Sequence, residues 1–299
     1  MGNGGTSEFL GNIGEIILKT MYEGCYEKCD NLYQGIFDTL NQKITESGTM
    51  IGQDFQGWNG GVFSTIRNIS DNAILPIGGL IIVFIFCWEW IRMVQENNQM
   101  QVIKVDSIIM ILLKFAVCLL VLTKSFDIVL GLYSIGREAV TRLSGQTGGT
   151  FGMGLTMDAV MPRNPAEITL PMVMEIFGIY IILWIARIIV AACAVCIYFQ
   201  IMMWFMEMLI YASAASIPYA TFYNKDWGQM GMNYTRKVLA LGFRGFFMLL
   251  MMVIYGGIMN VNYSTDFTEM ITFMCGGGIV LVFLIFKSGS IAESIFNAH

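Results

Sequence analysis

Four ionisable side chains lie in the middle of apolar runs, where a charge is hard to keep: Lys114, Arg187, Glu207 and Arg244. A charge at the centre of a membrane helix costs about 2.5–3.5 kcal/mol on insertion scales, so each of these groups needs a partner or water. Two chemistries fit. One is a polar, water-filled pathway through a helical bundle; the other is structural pairing, with Arg187 or Arg244 held by Glu207 or Glu175. Glu89 and Arg92 are placed to form a local pair at i, i+3.

Other reactive residue types form no catalytic set. Cys25 and Cys29, spaced i, i+4, share one side of a helix, but no His or second Cys pair joins them. His299 is the sole histidine, and no metal or cofactor is expected. The chain has no GxxxxGK[ST], HExxH or GxSxG pattern, so hydrolase, protease and ATPase chemistry lack their parts. The glycines of 144–154, Gly145, Gly148, Gly149, Gly152 and Gly154, have no following Lys and do not make a phosphate loop. They suit a pliable segment instead, because glycine backbone rearranges at little steric cost.

The elements that must carry these residues follow from composition. Of 299 residues, 56% are hydrophobic and 13% charged, and the mean hydropathy is +0.63. A water-exposed surface needs about twice that share of charge, so the chain is read as an integral membrane protein. The first 72 residues carry nine acids and four basic residues, a balance equal to the net −5 of the whole chain. They form an acidic N-terminal segment with no basic face for nucleic acid, and no signal peptide is expected at Met1–Gly5. Within it, Ile13, Ile17, Met21, Cys25, Cys29, Leu32, Ile36, Leu40 and Ile44 return at helical spacing, which predicts an amphipathic helix packed on protein. Residues 48–61 hold five glycines and read as a flexible connector.

The domain at 73–287 is read as an all-α, polytopic transmembrane bundle, followed by a tail at 288–299. Spans are expected at 73–94, 107–123, 238–259 and 268–287, and a long loop at 124–171 with helical potential near 126–143. From Ile179 to Ile217 no Gly or Pro interrupts 39 residues. That run is either one long helix or a hairpin turning at Gln200, giving five or six spans; the missing turn residues favour the helix. Lys104, Lys225, Arg236 and Lys237 in the short loops place these loops in the cytoplasm, with the N-terminus and the 124–171 loop outside and the C-terminus inside.

The segment 212–250, ASAASIPYATFYNKDWGQMGMNYTRKVLALGFRGFFMLL, resembles the TrbL-like polytopic subunit of conjugative type IV secretion systems of Gram-positive integrative elements. The matching positions are Ile217, Pro218, Thr221, Phe222, Asn224, Trp227, Gly228, Phe246 and Phe247. Residues 69–91, ISDNAILPIGGLIIVFIFCWEWI, are similar to the first span of that family. The resemblance implies a non-enzymatic channel or platform subunit in the cytoplasmic membrane. It further implies a homo-oligomer, a pentamer being the expected form, working with other secretion subunits and ATPases and passing single-stranded DNA. A non-conducting scaffold of the same machinery is the alternative. A small-solute transporter fits less well, since no inverted repeat or pair of broken helices is found.

Overall fold

The computed structural model describes residues 4–96, 105–146, 163, 168–222, 224, 226–261 and 267–298, and every regular element among them is helical. In chain order these are α1 (Gly4–Gly52), α2 (Phe55–Ile69), a π-helical turn (Ser70–Ile74), α3 (Leu75–Glu96), α4 (Val105–Thr123) and α5 (Ser125–Gln146). Then come α6 (Leu170–Ala214), the short α7 (Ser216–Ala220), α8 (Gly228–Val261) and α9 (Phe267–Ile295). Among the described residues four stretches are long and apolar enough to cross a membrane: Phe55–Gln95, Leu170–Ala220, Gly228–Ile258 and Glu269–Ile295. A fifth is bent: Ile108–Thr123 and Ser125–Leu143 meet at 66°. The protein is thus an all-α polytopic bundle.

Several expected boundaries move. The glycine-rich connector at 48–61 is largely helical: α1 continues to Gly52, and α2 starts at Phe55 with a kink at Asn59 (φ −157°, ψ 90°). Phe55, 1% exposed, is one part of the reason: burying its ring contributes about 1.5–3 kcal/mol, which offsets much of a glycine penalty of about 1 kcal/mol per residue. The long loop opens with a full helix, α5, whose Val129, Tyr133 and Val140 are buried on one face. The hairpin at Gln200 is absent: α6 is a single 45-residue helix through that position. At 1.5 Å per residue it is about 68 Å long, roughly twice the hydrocarbon thickness.

Packing divides the chain into two units. The first comprises Met1–Ser47, Thr147–Tyr198 and Met251–Leu284. Its core sets Tyr22, Tyr26, Cys29, Leu32, Tyr33 and Ile36 of α1 against Val173, Ile176, Leu183 and Val190 of α6 and Met270, Ile271 and Met274 of α9. The second comprises Gly48–Gln146, Phe199–Leu250 and Ile285–His299. Its centre is aromatic. Phe205 meets Phe55 edge-on at 5.5 Å and stacks on Trp58 at 5.0 Å, Tyr133 lies 4.2 Å from Phe55, and the buried Trp204 donates Nε1–H to the Leu241 carbonyl at 2.8 Å. Burying both ends of that indole requires such a partner.

Candidate functional site: an interfacial turn and the intramembrane charges

The first cluster is built where α6 stops. Pro218 lacks an N–H and cannot donate to the carbonyl four residues earlier, at Ala214, so the helix breaks at Ala215 and restarts as α7. The Thr221 hydroxyl then closes on the Pro218 carbonyl at 2.8 Å. Asn224 organises the turn into α8. Its Oδ1 accepts the backbone N–H groups of Asp226 and Trp227 at 2.8 and 2.9 Å, capping the start of that helix. Its Nδ2 donates to Glu89 Oε1 of α3 at 2.9 Å. Beside it, Arg92 Nη1 donates to Asp226 Oδ2 at 3.0 Å, and Trp227 stacks on Phe84.

Gly228 is needed for close approach, since a Cβ there would lie 2.9 Å from the Phe222 carbonyl oxygen. The resemblance motif is therefore a clasp that ties the α7–α8 turn to α3. Glu89 and Arg92, expected to pair with each other, each hold the turn instead. This partnership spans about 135 residues of sequence and carries no local signal. An Asn224→Ala variant is expected to unfold about 1–3 kcal/mol more easily, from the lost cap and the stranded Glu89 oxygen. Asn224→Asp keeps the cap but sets two carboxylates together, so it too is destabilised. Denaturant titration followed by helicity checks both.

The second feature is the set of intramembrane charges. Arg244 of α8 is 8% exposed, and its Nη1 donates to Glu207 Oε2 of α6 at 2.7 Å. Its Nε reaches Ser288 Oγ at 3.3 Å, and α9 passes close because Gly289 presents no side chain. Arg187 lies about five and a half turns before Glu207 on α6 and makes no ion pair with a described residue. Its guanidinium rests over Gly35 of α1, 3.5 Å from where a Cβ would be. Lys114 is exposed on α4, on the rim of a groove between α3 and α4, and likewise makes no ion pair with a described residue.

Of the glycine set, Gly145 falls in the last turn of α5, while Gly148, Gly149, Gly152 and Gly154 lie outside the described residues, as do Lys104 and Lys225. Cys29 is packed in the first unit with its Sγ 3.7 Å from the Ile176 carbonyl, and burial pushes its thiol up to about 12. Among the described residues no three His, Cys, Asp or Glu side chains are grouped as metal ligands.

The family profile of TrbL/VirB6 plasmid conjugal transfer like proteins matches residues 40–216, more than half of the chain. The chain belongs to this family, and it is a multi-pass membrane protein of conjugal transfer machinery. No curated protein and no solved structure matches it. The matched range takes in α2, α3 and α6 but ends before Pro218, so the Asn224 clasp lies beyond it.

Proposed function

We propose that this protein is a channel subunit of a conjugative type IV secretion system, working as a symmetric homo-oligomer through which single-stranded DNA passes. One observation carries the reading: the first unit has faces that suit opposite media. From Lys19 to Asp38 the outer face of α1 is mostly polar and charged, with Lys19 and Glu23 largely exposed, although Ile16, Ile17 and Met21 near its start are exposed as well. On α6 in the same unit, Met174, Phe177, Ile185 and Ile188 are exposed and apolar, from 55% to 69%. In lipid the α1 face is stranded; in water the α6 face is. Copies arranged about an axis satisfy both, covering the apolar surface and leaving the charged helix on a water-filled interior. Arg187, beside α1 and without an ion pair to any described residue, is then hydrated rather than buried in hydrocarbon.

In this reading the N-terminus and the 144–154 segment are outside, the C-terminus is inside, and the glycines of 144–154 form the gate. Transport is driven by partner ATPases, because the chain carries no nucleotide motif of its own. A conducting route must hold its substrate weakly enough to release it, which agrees with the mixed and largely acidic charge of α1. The test is photocrosslinking during mating, with photoreactive residues placed at Gln34 on the outer face of α1, at Gly149, and at Leu113 as an apolar control. Transferring DNA is expected on the first two positions and not on the third. Labelling of other secretion subunits alone, in cells proven to transfer, would establish the scaffold role instead.

A further inference from the structure

We infer that the groove between α3 and α4 is a binding site for a bilayer glycerophospholipid whose headgroup carries a primary amine beside its phosphate. The groove has a polar end formed by Glu89, Lys114 and Asn224, and an apolar wall that includes Ile82, Phe86 and Phe115. The two ends are ordered along the helices. Ile82 lies two turns from Glu89 on α3, and Cys118, at the groove's other end, lies one turn from Lys114 on the antiparallel α4.

The polar end marks the membrane boundary, because Glu89 and Arg92 are tied there to the turn before α8. This places Lys114 near the headgroups rather than at the mid-span depth expected from 107–123. Trp88, Trp90 and Trp227 are each 38–53% exposed at this level, an arrangement typical of the aromatic belt. The apolar wall therefore points into the hydrocarbon and the charges toward the headgroups. A free metabolite would see only half of such a site; an amphiphile matches both halves.

Size narrows the occupant further. The groove is open on one side, and its cavity volume is about 50 Å³, space for a few methylene groups. A molecule seated there must continue into the surrounding apolar medium, as an acyl chain does. The charges then choose the headgroup. Lys114 makes no ion pair with a described residue, and Glu89 uses Oε1 to accept from Asn224 and leaves Oε2 available. One ammonium and one carboxylate line the same opening without pairing with each other. A phosphate on Lys114 and a primary ammonium on Glu89 satisfy both. A phosphate-only headgroup leaves Glu89 facing an anion, and a quaternary ammonium has no N–H to donate.

The experiment is native mass spectrometry of the delipidated full-length protein, titrated separately with POPE, POPG and POPC. The unaltered protein is expected to retain POPE about tenfold better than either other lipid. Lys114→Gln should lower POPE retention to the POPC level, while Lys114→Arg keeps it. Glu89→Gln, which still accepts from Asn224, should remove the preference for POPE over POPG. Equal retention of the three lipids by the unaltered protein, or a Lys114→Gln variant that binds POPE as before, overturns the site. Displacement of POPE by soluble phosphoethanolamine at equal concentration would also overturn it, since the acyl chain would then contribute nothing.

Discussion

Replacing Glu207 with leucine leaves the Arg244 guanidinium enclosed by α6, α8 and α9 with Ser288 as its one hydrogen-bond partner among the described residues, and the fold loses about 3–5 kcal/mol. The size follows from asymmetry. Arg244 is 8% exposed and cannot recover its hydration, whereas the Glu207 side chain is 38% exposed and less tightly enclosed by protein. Arg244→Met removes the more deeply buried partner and is expected to cost less. The double variant Glu207→Leu/Arg244→Met regains most of the stability, because a buried pair and a well-packed apolar pair are close in free energy. Unfolding by SDS in mixed micelles, followed by circular dichroism, measures all three. A single Glu207→Leu variant within about 1 kcal/mol of the unaltered protein would show that Arg244 is not dependent on this carboxylate.

Gly136→Ala is expected to be as damaging through sterics alone. The added methyl would clash with the Gly242 carbonyl oxygen and carbon, both backbone atoms of α8. A side chain in the way can rotate; a helix backbone has to move bodily. The α5–α8 crossing depends on small residues that let two backbones approach, as is common between membrane helices. Overpacking costs about 1–3 kcal/mol where side chains can yield, and more is expected here. Gly131→Ala, on the same helix with open space at its Cβ, is the matched control and should be neutral or slightly stabilising. The pair is compared by thermal unfolding; similar midpoints for the two variants would mean the crossing is looser than described.

The helix α1 shows how far a local pattern reaches. Its amphipathic character is plain in the sequence, and Cys29, Leu32, Ile36 and Ile44 of the expected stripe are buried. Ile13, Ile17 and Met21 are not, and Tyr22 and Tyr26 take their place. The reason is geometric. Residues spaced by four advance about 40° beyond a full turn at each step, so a strict i, i+4 series winds off the buried face within three steps. The amphiphilic tyrosines were the missed signal, since their rings pack on α6 while their hydroxyls tolerate a polar edge. The kin relation behaved in a similar way. The resemblance drawn from 69–91 lies inside the matched family range, but most of the one drawn from 212–250 lies beyond it.

By itself the sequence determined the membrane class, the all-helical architecture, the unbroken run through Gln200 and the four charges that need explanation. These are properties of composition and of periodicity over one helix, and hydrocarbon admits few other backbones. Only the tertiary structure decided the partners. Arg244 rather than Arg187 meets Glu207, Glu89 holds Asn224 rather than Arg92, and α5 closes on α8 at Gly136 and Gly242. Each choice depends on the rotation of one helix against another, which is set by how dozens of apolar side chains interlock across the crossing. An apolar face lacks the chemical labels that would tell one neighbour from another, so that rotation is not written in any short stretch of chain.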